Sequence, residues 1–232
     1  MVETARGDIR AISYNLREHR AKGEVQALAE GHTIDMLCLQ ECDSTDMPNA
    51  IGGLRLAAQT DRNRLGLAVY YRESRFTLIQ TEIFALRKSM HDRVLAPAHE
   101  RLLAARLADT TGGGEIVVGD FHAAPLSATN ALRRHQISAA LERMRGLSPS
   151  APLLMVGDYN YPWFQRGLKR HMALSGYDFS RSDSPTYRTK RFRGHFDFAM
   201  SVDLRIERVE TLPQGLSDHL PIMITAAYGA ER

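Results

Sequence analysis

Short runs of apolar residues recur along the chain, and glycine, proline, aspartate or asparagine bounds each of them. Runs of this length between turn-forming residues are typical of β-strands. The pattern predicts strands over residues 9–14, 36–40, 67–71, 76–84, 115–121, 153–156, 196–201 and 222–226. Further runs predict strands over residues 54–58, 102–107 and 204–211.

Two segments have apolar residues at helical spacing instead. Residues 23–31 have a short apolar face, and residues 127–146 repeat apolar side chains at intervals of three and four. Ser127 is the expected N-cap of the second helix, and Gly146 is its expected end.

The predicted strands do not alternate strictly with helices, which argues against a simple doubly wound parallel sheet. Residues 67–71 and 76–84 are close enough in the chain to form a hairpin, as are residues 196–201 and 204–211. We therefore expect an α/β (α+β) fold with two mixed β-sheets packed face to face and helices outside. No stretch resembles a linker, so residues 1–232 are expected to form one domain.

One local pattern occurs twice. Residues 116–125 have the sequence IVVGDFHAAP, and residues 154–162 have the sequence LMVGDYNYP. The strand period places Asp120 with His122 on one face, and Asp158 with Asn160 on one face. Two strands are therefore expected to deliver polar pairs to the same side of the domain.

Polar side chains follow most of the predicted strands, where sheet proteins often place functional groups. They are Asn15, Glu41, His122, Asp158, Asn160, Asp197, Asp218 and His219. Carboxylate and amide oxygens are hard ligands that suit Mg²⁺ or Mn²⁺. Cysteine or histidine at zinc-binding spacing, a P-loop, a dinucleotide fingerprint and a G-x-S-x-G elbow are all absent from the sequence.

Composition changes this interpretation little. The formal net charge of +3 and the pI near 9.0 suit an anionic partner without requiring one. Cys38 and Cys42 are expected to be reduced thiols, because two cysteines cannot form a disulfide framework. No apolar run is long enough to span a bilayer and the first ten residues contain no signal-like stretch, so a cytoplasmic protein is the default expectation.

Six short motifs in order resemble the endonuclease/exonuclease/phosphatase superfamily, which includes deoxyribonuclease I-like and exonuclease III-like enzymes. They are SYNL ending at residue 16, LQE ending at Glu41, VGDFH ending at His122, GDYN ending at Asn160, FDF around Asp197, and SDH ending at His219. The resemblance runs over residues 9–226. It implies a four-layer αββα sandwich and hydrolysis of phosphoesters by activated water.

The resemblance also implies roles for the strand-end residues. Glu41 would be the main ligand of Mg²⁺, for which Mn²⁺ could substitute, and Asn15 and Asp218 would help to hold the ion. His122 and Asn160 would contact the scissile phosphate. Asp158 would position or deprotonate the attacking water, and His219, paired with Asp197, would be the general base or a phosphate-binding imidazolium. Which of Asp158 and His219 accepts the proton is left open.

Within the resemblance, Asp158 is the catalytic member of the repeated pattern, because the FDF and SDH motifs follow it. Asp120 is a departure from the family at a position that usually has a small or hydroxyl residue. Arg17 stands where many nucleases have a second acid, which puts a second metal ion in doubt. The hallmark string of inositol polyphosphate 5-phosphatases is missing, which disfavours that activity.

Residues 187–195 have the sequence YRTKRFRGH and directly precede Asp197. Basic side chains interleaved with aromatic ones can contact phosphates and stack on bases, although a solvated basic loop is an equal alternative. The candidate substrate contacts are Tyr187, Arg188, Lys190, Arg191, Arg193 and Trp163.

The sequence therefore predicts a monomeric, metal-dependent phosphoesterase, with DNA cleavage as the leading hypothesis and nucleic acid as the substrate. The first alternative is a phosphodiesterase or phosphatase for lipid or small-molecule phosphoesters. The second is a catalytically silent relative that only binds a partner, which the complete set of motif residues disfavours. The choice between DNA, RNA and other phosphoesters, and between endo- and exonuclease action, depends on loops that the motifs do not cover.

Overall fold

A computed structural model of the chain describes residues 7–61, 65–94, 100–112, 114–189 and 192–229. The strands are β1 (Ile9–Asn15), β2 (Met36–Gln40), β3 (Ala50–Ile51), β4 (Leu54–Gln59), β5 (Leu67–Tyr71), β6 (Phe76–Ala85), β7 (Glu100–Asp109), β8 (Gly114–His122), β9 (Leu153–Asp158), β10 (Asp178–Arg181), β11 (Tyr187–Arg188), β12 (Arg193–Gly194), β13 (Asp197–Val202), β14 (Leu204–Thr211) and β15 (Ile222–Tyr228). The α-helices are α1 (Val25–Gly31), α2 (Met90–Val94), α3 (Asn130–Leu147) and α4 (Gln165–Leu174).

Two large sheets dominate the described structure. One has seven strands in the order β14-β15-β1-β2-β5-β4-β3, and the other has six in the order β10-β13-β9-β8-β7-β6. The pairs β1–β2 and β8–β9 are parallel, and the other neighbours in each sheet are antiparallel, so both sheets are mixed. The two parallel pairs bring four strand ends to one end of the molecule, because parallel strands finish at the same sheet edge.

A continuous apolar layer fills the space between the sheets. Alternate residues of each strand point into it, as the two-residue period of a strand requires. Its members include Ile9, Ala11, Met36, Cys38, Ile116, Val118, Leu154 and Val156, all fully buried. Each such aliphatic side chain contributes roughly 1.5–3 kcal/mol relative to exposure, so this layer accounts for much of the stability of the fold.

The outer face of each sheet is covered by helices. Leu141 and Met144 of α3 and Leu168 of α4 pack on the six-stranded sheet. Val25 and Ala29 of α1 pack on the seven-stranded sheet. The predicted four-layer αββα sandwich is confirmed. Within the described residues, no helix is both long and apolar enough to cross a membrane.

Both predicted hairpins are wrong, because each connection crosses from one sheet to the other. β5 belongs to the seven-stranded sheet and β6 to the six-stranded sheet, and β13 and β14 are divided in the same way. Asp203, between β13 and β14, has a left-handed φ of 55°. A short loop can therefore redirect the chain between layers instead of closing a hairpin, and loop length alone does not distinguish the two outcomes.

The long helix α3 begins and ends later in the chain than the sequence predicts. Thr129, not Ser127, is the N-cap, and its hydroxyl accepts a hydrogen bond from the Leu132 amide at 3.2 Å. Ser127 lies in a turn closed by the Ala128 amide and the Pro125 carbonyl, so it is not available as the cap. The helix also continues past Gly146 to Leu147, a buried residue.

Helices α2 and α4 were not predicted from the sequence. α4 presents only Leu168 and Met172 as buried residues over its ten positions, which is a weak apolar signal. Its N-cap, Phe164, has a left-handed φ of 61° and its side chain is exposed. Cys38 and Cys42 are free, buried thiols, as the sequence predicts.

Candidate active site

The inter-sheet layer changes from apolar to polar toward the end where the parallel strands finish. Along each central strand, the inward-facing positions nearest this end hold polar residues instead of aliphatic ones. They are Ser13 and Asn15 on β1, Gln40 on β2, Asp120 and His122 on β8, Asp158 on β9, and Asp197 on β13. All seven are buried, so their charges and hydrogen bonds act in a medium with little solvent screening.

Glu41 directly follows β2 and has a left-handed φ of 54°. Arg17, Glu18 and His19 are also left-handed, with φ of 51°, 53° and 70°. This unusual turn aims the Glu18 amide at Glu41 Oε2, at 2.9 Å. Left-handed backbone costs roughly 1–2 kcal/mol per non-glycine residue, and such strain is typical of sites where a side chain must be held in place.

Asn15, at the end of β1, links the two carboxylates nearest to it. Its Nδ2 donates to Glu41 Oε1 at 3.2 Å and to Asp158 Oδ2 at 3.1 Å, while its Oδ1 accepts from the Arg17 amide at 2.9 Å. The Arg17 amide needs an acceptor, so it fixes which end of the carboxamide faces the carboxylates. Asn15 therefore positions two acids through Nδ2, while its Oδ1 is held by the Arg17 amide.

Asp158 lies at the centre of the site. The parallel register of β8 and β9 places His122 opposite Asp158, and the antiparallel register of β9 and β13 places Asp197 opposite it. Nε2 of His122 and Nε2 of His219 each lie 3.7 Å from Asp158 Oδ2. Asp158 Oδ1 accepts from the Asn160 amide at 2.9 Å.

Asn160 does not share a strand face with Asp158, although the sequence pattern predicted that it would. β9 ends at Asp158, and Asn160 lies in the turn beyond it with a left-handed φ of 48°. The carboxylate of Asp158 closes this turn by accepting the Asn160 amide. Asparagine tolerates that conformation better than most residues. The turn still places Asn160 in the wall of the same cavity as Asp158.

His219 and Asp197 form the predicted pair. Nδ1 of His219 lies 2.9 Å from Asp197 Oδ2, and both side chains are buried. The carboxylate accepts a hydrogen bond from the Nδ1–H group, which leaves Nε2 as the atom that faces the cavity. The rings of Tyr187 and Phe196 flank the imidazole with centroid separations of 4.9 and 5.9 Å, and hold its plane.

The pKa values of Asp158 and His219 are both raised. Burial raises the pKa of Asp158, and the neighbouring Asp197 and Glu41 charges raise it further, against the opposing effect of the His219 imidazolium. Burial alone would lower the pKa of His219, but Asp197 and Asp158 together raise it above its usual range. Buried groups whose pKa values are raised by specific charged neighbours in this way are more common at functional sites than elsewhere.

A buried ion pair contacts the backbone carbonyl of His122. Arg101, on the neighbouring strand β7, donates through Nη1 to the His122 carbonyl at 2.9 Å. Its Nη2 forms two hydrogen bonds with the Asp92 carboxylate, at 2.6 and 2.7 Å. Asp92 belongs to α2, and neither its side chain nor that of Arg101 is exposed. Neither residue was predicted from the sequence.

The chain matches the Endonuclease/Exonuclease/phosphatase family over residues 6–219. It belongs to this family. Members of the family are hydrolases that act on phosphoester bonds. No curated protein matches the chain in sequence.

Solved structures of other proteins share the fold at low sequence identity. An endonuclease/exonuclease/phosphatase from Bacteroides vulgatus has a TM-score of 0.76 at 13% identity, over 96% of this chain and all of its own. A mannosyl-6-phosphatase from Bacteroides thetaiotaomicron has a TM-score of 0.72 at 17% identity, over 95% of this chain and all of its own. TDP2 from D. rerio, complexed with a single-strand DNA product, has a TM-score of 0.73 at 16% identity, over 95% of this chain and 99% of its own. At these identities the likeness shows the fold alone.

Endonuclease/Exonuclease/phosphatase enzymes use divalent metals, and the donor set fits a hard cation. Glu41 Oε1 and Asp218, whose side chain is about a quarter exposed, line a cavity of about 360 Å³. A second group, Asp158, Asp197 and His219, has potential ligand atoms within 4.8 Å of one another. Within this second group, Nδ1 of His219 is already engaged by the Asp197 carboxylate.

The predicted basic and aromatic rim is brought only partly to this cavity. Tyr187 lines the cavity, whereas Arg193 and Trp163 are exposed farther out. Phe192 packs between Trp163 and Tyr187, with ring centroids 5.5 and 6.3 Å away. Arg188 is half-buried beside Tyr187 in β11. Lys190 and Arg191 lie outside the described residues.

Arg133, on α3, is buried although its side chain is charged. Its guanidinium donates to the Pro125 carbonyl at 2.7 Å and lies over the Tyr161 ring, with its Cζ 5.9 Å from the ring centroid. Arg133 follows Thr129 by one helical turn, which turns it toward the loop after β8. The helical period of the flanking buried residues Gln136 and Ile137 was the signal that could have found it.

Proposed function

We propose that the chain is a Mg²⁺-dependent phosphodiesterase that hydrolyses nucleic acid, with DNA as the leading substrate. The observation that carries the proposal is the arrangement around one oxygen. Two imidazole Nε2 atoms, from His122 and His219, approach Asp158 Oδ2 at 3.7 Å. A buried carboxylate between two imidazoles, next to metal-binding oxygens, suits the attack of water on a phosphate.

Glu41 and Asp218 would hold the ion, with Asn15 fixing the orientation of Glu41 through its carboxamide. When bound, Mg²⁺ would offset the negative charge that develops on the phosphoryl oxygens. His122 and Asn160 would contact the scissile phosphate, because both line the cavity beside Asp158. Mn²⁺ prefers the same oxygen ligands and would substitute.

Asp158 and His219 would take part in removing the proton of the attacking water. A carboxylate with a raised pKa can accept a proton from water, and a neighbouring imidazolium can stabilise the charged phosphate. Asp197 supports the second role by accepting a hydrogen bond from His219 Nδ1, with Nδ1 and Oδ2 2.9 Å apart. No covalent nucleophile is needed, since water attacks the phosphorus directly.

Three observations favour nucleic acid over a smaller ester. The rim includes exposed Trp163 and the cavity-lining Tyr187, whose rings can stack on bases. Arg188 and Arg193 lie in the adjoining two-stranded sheet, and Lys190 and Arg191 follow in the same sequence segment. The chain is also mildly basic, with a formal net charge of +3.

An activity panel with Mg²⁺ tests the proposal. It includes abasic duplex DNA, plain duplex and single-stranded DNA, RNA, a phosphoinositide and sphingomyelin. His219→Ala should lose activity by about 10²–10⁴-fold, as expected for an acid–base group, while His171→Ala, at an exposed position on α4, should match the wild type. Turnover of lipids without turnover of nucleic acid would contradict the nucleic-acid proposal.

A lipid phosphodiesterase is the second candidate, because of a separate groove of about 800 Å³. Met90 and Val94 line it and are 72% and 73% exposed, next to Arg87, Lys88 and Arg93. Apolar side chains beside cations suit an amphiphile with an anionic head group. Binding without turnover on every substrate of the panel would instead indicate a catalytically silent relative.

A further inference from the structure

Asp120 lies one strand pleat below the catalytic residues and takes no part in the chemistry proposed above. It precedes His122 by two residues on the same inward face of β8, and it is fully buried. Its Oδ1 lies 2.6 Å from Nε2 of Gln40, the last residue of β2. Because β2 and β8 belong to different sheets, this contact joins the two sheets directly beneath the site.

Gln40 is well anchored on its own sheet. The same Nε2 lies 3.1 Å from Ser13 Oγ on β1 and 3.2 Å from the Cys38 carbonyl. Gln40 directly precedes Glu41, where the backbone turns into its left-handed conformation. The position of the Gln40 side chain therefore helps to set where β2 stops and where Glu41 begins its turn toward the cavity.

We propose that Asp120 is a positioning residue that, through Gln40, sets the spacing between the metal-binding carboxylate of Glu41 and the imidazole of His122. Glu41 Oε1 and His122 Nε2 are 3.8 Å apart, and they come from the two strands that the Asp120–Gln40 contact joins. The surrounding inter-sheet contacts, such as those of Val118 and Cys38, are apolar and non-directional. A hydrogen bond supplies the register that such packing lacks. This inference rests on the proposed metal-dependent function.

The partner of Asp120 suits an uncharged carboxyl group. Burial raises the pKa of Asp120 well above its usual range, and the hydrogen bond from Gln40 opposes this effect only partly. A distance of 2.6 Å is short for a neutral amide donor and shows close contact between the groups. Asparagine has the same shape and retains an acceptor oxygen, so it should preserve the contact.

Direct Mn²⁺ binding to the full-length protein tests the inference, measured by electron paramagnetic resonance of free Mn²⁺ together with turnover on the best substrate. Asp120→Ala should bind Mn²⁺ about tenfold more weakly than the wild type, the low end of the effect of removing a group that supports a metal ligand. Asp120→Asn should bind Mn²⁺ as the wild type does. Val118→Ala, a cavity on the same strand and face, should lower Tm and leave Mn²⁺ affinity unchanged.

Each outcome bears on the inference. Equal Mn²⁺ affinity and turnover in Asp120→Ala and the wild type would overturn it while leaving the proposed function intact. Equal losses in Val118→Ala and Asp120→Ala would also overturn it, because they would show a general packing effect. If Asp120→Ala does not fold, Gln40→Met removes the same contact from the other sheet and should weaken Mn²⁺ binding similarly. A wild-type protein that neither binds Mn²⁺ nor turns over any substrate would refute the proposed function itself.

Discussion

Asp120 and Asp158 follow the same kind of apolar run and the same glycine, yet the protein uses them differently. Asp158 is the last residue of β9, and its carboxylate contacts the side chain of Asn15 and approaches two imidazoles. Asp120 is followed by two further strand residues in β8, and its carboxyl group accepts a hydrogen bond from the Gln40 side chain. The two aspartates thus differ in depth within one inter-sheet layer.

The register of the parallel pair explains the difference in depth. Asp120 lies opposite Val156, and it is His122 that lies opposite Asp158. A shift of two residues keeps a side chain on the same face but moves it one pleat, about 7 Å, along the strand. The position of the strand end therefore decides whether an aspartate reaches the cavity or remains in the layer beneath it.

A third buried aspartate, Asp92, shows how the hydrogen-bonding partner changes the pKa of a buried carboxyl group. Arg101 and Ser89 hold its pKa at about 2 despite burial, so Asp92 is ionised. Asp120, which faces an uncharged amide, has its pKa raised instead. Two carboxyl side chains that are both shielded from solvent therefore have their pKa values shifted in opposite directions, because a cation offsets the desolvation of a carboxylate and a carboxamide does not.

Asp158→Asn should have the largest effect and would separate Asp158 from Asp120 most clearly. We expect the turnover number to fall by about 10²–10⁴-fold, because the variant cannot accept a proton. Stability should not fall, since the change removes a buried charge near Asp197 and Glu41. Turnover and thermal unfolding should be measured together, with Asp120→Asn as the matched control. Full activity in Asp158→Asn would refute the catalytic assignment.

Arg101→Met should be the most destabilising of these changes. It leaves Asp92 buried without its cation and removes the donor to the His122 carbonyl. Breaking a buried ion pair from one side costs about 3–5 kcal/mol. Urea unfolding measures the loss, and Arg143→Met, at an exposed position on α3, serves as the control. A difference of under about 1 kcal/mol between the two variants would count against a structural role for the pair.

The sequence predicted most central strands and the order of the motif residues, because apolar runs and the polar residues after them are local patterns. It did not predict which strands share a sheet, so both hairpins were placed wrongly. Partners of β5 and β13 are chosen by packing between distant segments, which a local pattern does not contain. The fold class was predicted correctly because layering depends only on the number and spacing of strands.

The site was predictable where a residue follows a strand and not where it acts from within one. Asp197 and His219 form the expected pair at 2.9 Å. Arg101 and Asp92 were missed because a charged residue in a strand or short helix gives no sign of burial until its partner is known. The left-handed turn at Arg17 was missed for a related reason, since no glycine or asparagine there signals such a backbone.

Asp120→Asn should remove one contribution to the pH dependence of stability, which tests whether Asp120 is uncharged in the folded protein. Because burial raises the pKa of Asp120 in the folded protein, its contribution to stability is full below the unfolded pKa of about 4. That contribution is lost as the pH rises toward the folded-state pKa. Asparagine does not titrate, so the Tm of the variant relative to the wild type should increase between pH 4 and pH 8. A difference in Tm between variant and wild type that stays constant over this pH range would mean that Asp120 is ionised in the folded protein.

Asp92→Asn should show the opposite dependence, with a smaller effect. The pKa of Asp92 is about 2 when folded, so its contribution to stability is present above the unfolded pKa of about 4 and is lost as the pH falls through 2. The pH-dependent part of the loss in the variant should be on the order of 2 kcal/mol at pH 7 and should vanish near pH 2. Urea unfolding of wild type and variant at pH 3, 5 and 7 measures this trend. The stability difference between variant and wild type should change with pH in opposite directions for Asp92→Asn and Asp120→Asn. That result would show that the hydrogen-bonding partner, rather than burial, sets the charge of each aspartate, whereas changes in the same direction would contradict this.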